Sequence, residues 1–137
     1  MKLVISFCLL MLLCSCFDYS QQELKPTKVS ISLKDINFNT LQQNIHRDTV
    51  FYITNAGTNP LLIYNVETSC GCTTSSWTKR PIKPGKKGEV KVSYDAKYPG
   101  RFHKTITVYA NIENSQIKLS ISGEVEYEKR VLVVNSD

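Results

Sequence analysis

The sequence predicts an all-β domain built as two antiparallel sheets packed face to face. Three observations carry that expectation. From Val29 onward apolar residues recur at every second position, turn residues break the pattern at short intervals, and the three-to-four-residue spacing of an amphipathic helix is absent. Alternation gives each strand one apolar and one polar face, so each sheet has one side to bury, and two sheets bury each other. About seven to eight strands in this arrangement form an immunoglobulin-like sandwich.

The strands are legible one after another. Val29, Ile31 and Leu33 alternate with Ser30 and Ser32, and a second short run carries Ile36 and Phe38. Thr49, Phe51 and Ile53 share a face, and that strand ends at Asn55-Ala56-Gly57, where glycine permits a positive φ. Leu61 and Ile63 begin the next strand; the alternation slips before Val66, which predicts a bulge or bend. Pro84-Gly85 suits the two central positions of a type II turn, and Val90, Val92 and Tyr94 follow it. Pro99-Gly100 repeats the device ahead of Phe102, Ile106, Val108 and Ala110, whose strand shows Thr105, Thr107 and Tyr109 on its other side. Ile117, Leu119, Ile121, Gly123 and Val125 share a side of the last clear strand, and the apolar run at 131–134 could add an edge strand.

Composition narrows the class. With 137 residues the chain is too short for two ordinary domains, and 42% hydrophobic residues supply enough apolar surface for one core. The excess of 17 Lys and Arg over 12 Asp and Glu is too small to signal a nucleic-acid binder, and no basic stretch is interleaved with stacking aromatics.

The N-terminus carries an address. Residues 3–13 are apolar but reach only about half a bilayer core, so they suit a secretory signal and not a spanning helix. Leu13-Cys14-Ser15-Cys16 resembles the bacterial lipobox. That resemblance implies cleavage after Ser15 and acylation of Cys16, anchoring the protein to a membrane of the cell envelope with its domain in the periplasm or on the cell surface. Residues 1–15 are then the signal peptide, 16–28 the lipidated N-terminus with a polar tether, and 29–137 the domain.

The motif positions Asn55, Gly57, Pro60, Leu61, Ser69-Cys70-Gly71-Cys72-Thr73, Pro84-Gly85, Gly88, Tyr94, Gly100, Asn111 and Gly123 together resemble the DUF1573 family, over about residues 33 to 125. The resemblance implies an immunoglobulin-like fold of the kind found in Bacteroidetes lipoproteins and in cilia- and centrosome-associated modules. It implies no reaction.

Cys70 and Cys72 are the only cysteines that follow the lipobox. In an oxidising compartment they are candidates for a structural or a labile bridge; as thiolates they could hold Cu(I) or help hold Zn²⁺. Four-coordinate zinc would need two more ligands, and the only imidazoles in the chain are those of His46 and His103, both read as solvent-exposed side chains without a role. No Gly-x-Ser-x-Gly elbow supports a hydrolase. Lys79, Arg80, Lys83, Lys86 and Lys87 place five positive charges in nine residues with no acid among them, a solvated loop or a contact for anionic head groups. Trp77 is a candidate partner anchor or a cap on one end of the sandwich. The residues therefore point to a non-catalytic envelope binding or assembly module with a protein partner and no cofactor. The alternative is a copper, zinc or thiol-redox protein centred on Cys70 and Cys72.

Overall fold

A computed structural model describes residues 24–71 and 73–127 of the chain. The signal segment, Cys16, Cys72 and the apolar run at 131–134 lie outside the described residues. Eight strands follow in order: β1 (Val29–Ile31), β2 (Asp35–Gln42), β3 (Arg47–Asn55), β4 (Ile63–Thr68), β5 (Thr73–Trp77), β6 (Lys87–Tyr94), β7 (Gly100–Ala110) and β8 (Gln116–Glu126). One sheet runs β1-β3-β6-β5 and the other β2-β8-β7-β4.

Alternation decides what is inside. Phe51 and Ile53 on β3, Val90, Val92 and Tyr94 on β6, Ile106 and Val108 on β7, and Leu119 and Ile121 on β8 are all buried between the sheets. Each such side chain contributes about 1.5–3 kcal/mol on leaving water. Tyr94 stacks on Phe102 at 4.2 Å between ring centroids, with Phe38 beside it at 6.4 Å, closing one end of the core. A Cβ on Gly123 would lie 2.9 Å from Phe102 Cζ and 2.8 Å from the Asn39 carbonyl, so the absence of a side chain lets β2 approach β8.

Turn chemistry behaves largely as the sequence predicts. Gly85 has φ +74° and Lys86 N–H donates to Lys83 O at 3.0 Å, the type II arrangement expected at Pro84-Gly85. Gly100 has φ +113°. The slip before Val66 is a register shift between Ile63 and Asn65 against β7. Gly57 differs from expectation: its φ is not positive, and what requires glycine is space, because a Cβ there would overlap Thr27 Oγ1.

Three further features depart from the alternation pattern. β2 pairs with β8 in parallel, because the 32–34 link carries the chain between sheets without reversing it and β8 runs the same way. Leu33, grouped by parity with Val29 and Ile31, falls in that link and is exposed. β5 carries mostly Thr and Ser, so it gave no apolar signal, yet it pairs antiparallel with β6 along its whole length as an edge strand.

Candidate binding surface

The strands order the loops into two poles. At one pole lie the N-terminal segment before β1, the β3–β4 loop, the β5–β6 loop and the β7–β8 turn; the β2–β3, β4–β5 and β6–β7 connections lie at the other.

Two asparagines assemble the first pole. Asn55 is fully buried, and its Nδ2 donates to Asn59 O and Ile82 O, both at 2.8 Å. Its Oδ1 accepts from Thr27 Oγ1 at 3.0 Å and from Gly57 N–H at 3.1 Å. One side chain thus ties the N-terminal segment, the β3–β4 loop and the β5–β6 loop together. Asn111 acts in parallel, with Nδ2 donating to Lys25 O and Pro60 O and Oδ1 accepting from Leu62 N–H. Residues 25–28, assigned from sequence to the tether, are therefore docked on the domain, and Thr27 is buried. Neither asparagine was marked as a structural joint by its sequence pattern, because an apolar parity count sees only a polar residue closing a strand. Among the described residues no buried side-chain nitrogen or oxygen lacks a partner, so these polar groups are part of the architecture.

The basic cluster sits on this scaffold. Ile82 is buried beneath the β5–β6 loop and exchanges backbone hydrogen bonds with Leu61 at 2.8 and 2.9 Å, while Gly85 N–H donates to Asn55 O at 2.8 Å. A Cβ on Gly88 would overlap Ile82 Cδ1, so glycine there makes room for the anchor. With Ile82 pointing inward, Lys79, Arg80, Lys83, Lys86 and Lys87 all line one open depression of about 740 Å³. Glu89 is the single carboxylate on its wall, and it pairs with Lys91 at 3.6 Å. Among the described residues none of the five cations has an ion-pair partner.

Trp77 is half-buried against the core; its Nε1–H donates to Ile63 O at 3.2 Å, and Lys79 Nζ lies 3.0 Å from its ring centroid. It bridges β5 to β4 across the sheet edges and shelves one of the basic side chains. Its free face is correspondingly small.

The cysteine segment belongs to the opposite pole. Cys70 is half-buried and disulfide-bonded, with Sγ 3.5 Å from Thr73 Oγ1, and Thr68 Oγ1 donates to both Cys70 O and Thr73 O. A bonded sulfur is not a thiolate, so Cys70 in this form has no soft anionic ligand to offer copper or zinc. His46 and His103 are both exposed, and among the described residues no three His, Cys, Asp or Glu side chains converge. Elsewhere, Tyr109 OH donates to Glu67 Oε2 at 3.0 Å, and that bond, with some desolvation and the carboxylate's charge, raises the tyrosine above its usual value. Burial raises Tyr94 likewise, with Asp95 adding to it.

A sandwich of two four-stranded sheets, β1-β3-β6-β5 and β2-β8-β7-β4, defines an immunoglobulin-like β domain. More narrowly, the chain belongs to the family described as protein of unknown function (DUF1573), whose model matches residues 29–125. Solved structures share the fold. A protein of unknown function from Porphyromonas gingivalis W83 superposes with a TM-score of 0.64 at 15% identity, over 77% of this chain and 50% of that one. This chain thus spans half the length of that neighbour. The seventh PapD-like (ASH) domain of human CEP192 gives 0.63 at 13% identity, over 76% of this chain and 89% of that one. The Vibrio cholerae VesB protease gives 0.58 at 15% identity, covering 72% of this chain but 31% of the protease. At these identities the likeness is one of fold alone. Comparison with curated proteins gives no match.

Proposed function

We propose that this chain is a cell-envelope lipoprotein, acylated at Cys16, whose immunoglobulin-like domain is a non-catalytic binding or assembly module. The observation that carries the reading is the docking of residues 25–28 at one pole through Asn55 and Asn111. An anchor upstream of that segment would hold one end of the sandwich near the bilayer and leave the other end, with exposed Ile45, Tyr98 and Tyr127, turned toward neighbours. Membership of the DUF1573 family supports the β module, and the lipobox supports the anchor. Among the described residues β1, β2, β4 and β5 are the edge strands, and such edges suit a partner that adds a strand.

Mass spectrometry of the protein purified from its membranes tests the anchor. The expected N-terminus is diacylglyceryl-Cys16 with residues 1–15 removed, and an intact leader would refute it. Crosslinking in living cells, with Cys16→Ala as control, tests the module: a defined partner captured by the anchored form is expected. Turnover of a small molecule by the purified protein would refute the non-catalytic assignment.

A further inference from the structure

The basic depression has a geometry that the anchor reading leaves unused. Its five cations surround a loop fixed from below by Ile82 and by the backbone bonds to Leu61 and Asn55, so their backbone positions are set before any ligand arrives. No carboxylate among the described residues neutralises them, and the one on the wall is taken by Lys91. The same Asn55 side chain that holds Ile82 also holds Thr27, so the basic loop and the N-terminal segment are joined at one pole. Lys25 and Lys28 add to the positive side of that pole, Glu113 near Lys28 opposes it, and Leu24 is exposed beside them. The opposite pole is mixed in sign, with Arg47, Asp48, Asp95, Lys97 and Glu126.

From this we infer that the pole bearing Lys79, Arg80, Lys83, Lys86 and Lys87 lies against an anionic lipid surface, with head-group phosphates seated in the depression. The choice of a membrane over a soluble anion rests on the proposed acylation of Cys16. The eight residue-to-residue steps from Cys16 to Leu24 reach at most about 28 Å. An 11-residue strand such as β7 is itself about 36 Å long, so that tether favours the pole at which it docks and disfavours the far one. All five cationic residues are exposed, as contact with a surface requires.

The test uses the processed full-length protein reconstituted into phosphatidylcholine vesicles with or without phosphatidylglycerol, with amine-reactive labelling of each lysine followed by mass spectrometry. Lys79, Lys83, Lys86 and Lys87 are expected to lose several-fold in labelling rate on the anionic vesicles, while Lys97 and Lys104 keep theirs. Each basic residue near such a surface is worth about a fivefold factor in occupancy, so Lys83→Gln/Lys86→Gln/Lys87→Gln should lower it about a hundredfold and abolish the protection. These three side chains are exposed, and an unchanged melting temperature verifies that the variant is folded. Equal labelling on both vesicle types would overturn the inference. Equal protection by free inorganic pyrophosphate on phosphatidylcholine vesicles would overturn it in favour of a soluble anion. Retention on phosphatidylcholine vesicles reports the acyl anchor separately: a chain that washes off them yet shows lysine protection on anionic ones would refute the anchor and sustain the basic pole.

Discussion

Replacing Asn55 with alanine removes four side-chain hydrogen bonds from a fully buried site, and the structure sets the size of the loss. Each bond contributes about 1 kcal/mol net, and a buried group left without a partner costs more. Relief is partial: Ile82 O keeps the Leu61 N–H, and Asn59 O and Gly57 N–H are near enough to solvent to recover water, whereas the Thr27 hydroxyl is buried and loses its acceptor. A loss of about 3 kcal/mol is therefore expected, or roughly 12–24 °C in melting temperature for a domain of about 100 residues. Asn55→Asp keeps the shape but turns an acceptor toward Asn59 O and Ile82 O, and should be at least as damaging. The assay is equilibrium urea unfolding of the wild type, Asn55→Ala, Thr27→Val and the double variant. Thr27→Val alone should cost about 1 kcal/mol, and the double variant should lose less than the sum because both changes break the same bond. A loss below about 1 kcal/mol for Asn55→Ala, or strict additivity, would refute the claim that Asn55 joins the N-terminal segment to the loops.

Other perturbations test the rest of the structure. Gly123→Ala forces a methyl against Phe102 and the Asn39 carbonyl, and should destabilise by about 1–3 kcal/mol in thermal unfolding. Trp77→Phe removes the hydrogen bond to Ile63 O and weakens the Lys79 contact, for about 1–2 kcal/mol, with the β4–β5 region losing hydrogen-exchange protection first. The folded value of Tyr109 is raised above its unfolded value near 10, so the unfolded chain gives up that proton first. The contribution of Tyr109 to stability should be present just below pH 10 and be lost as pH climbs through the folded value, and Tyr109→Phe should remove that part of the decline in alkaline denaturation curves. Glu67→Gln, which keeps an acceptor but removes the charge, should bring the Tyr109 titration followed by ultraviolet absorbance back toward its usual range.

Parity along the chain was enough to identify the inward faces of β3, β6, β7 and β8, because a side-chain period of two leaves one choice of which side enters the core. Pro84-Gly85 identified its own turn, since the backbone angles that the turn requires are the ones those two residues adopt. The basic cluster was visible as composition, and so was Cys70 as a candidate for bridging. These are local properties, written within a few residues of where they act.

What needed three dimensions was everything joining distant segments. Asn55 meets Thr27 and Ile82 across separations of 28 and 27 residues, and Asn111 meets Lys25 across 86. No periodicity encodes a polar side chain's partner at that range. The parallel β2–β8 pairing, the strand β5 with its Thr and Ser, and the steric demand at Gly57 likewise follow from what the neighbouring chain does. The concentration of five cations in one depression at the pole where the N-terminal segment docks was also decided there, because spacing along the chain fixes charge density but only packing fixes direction.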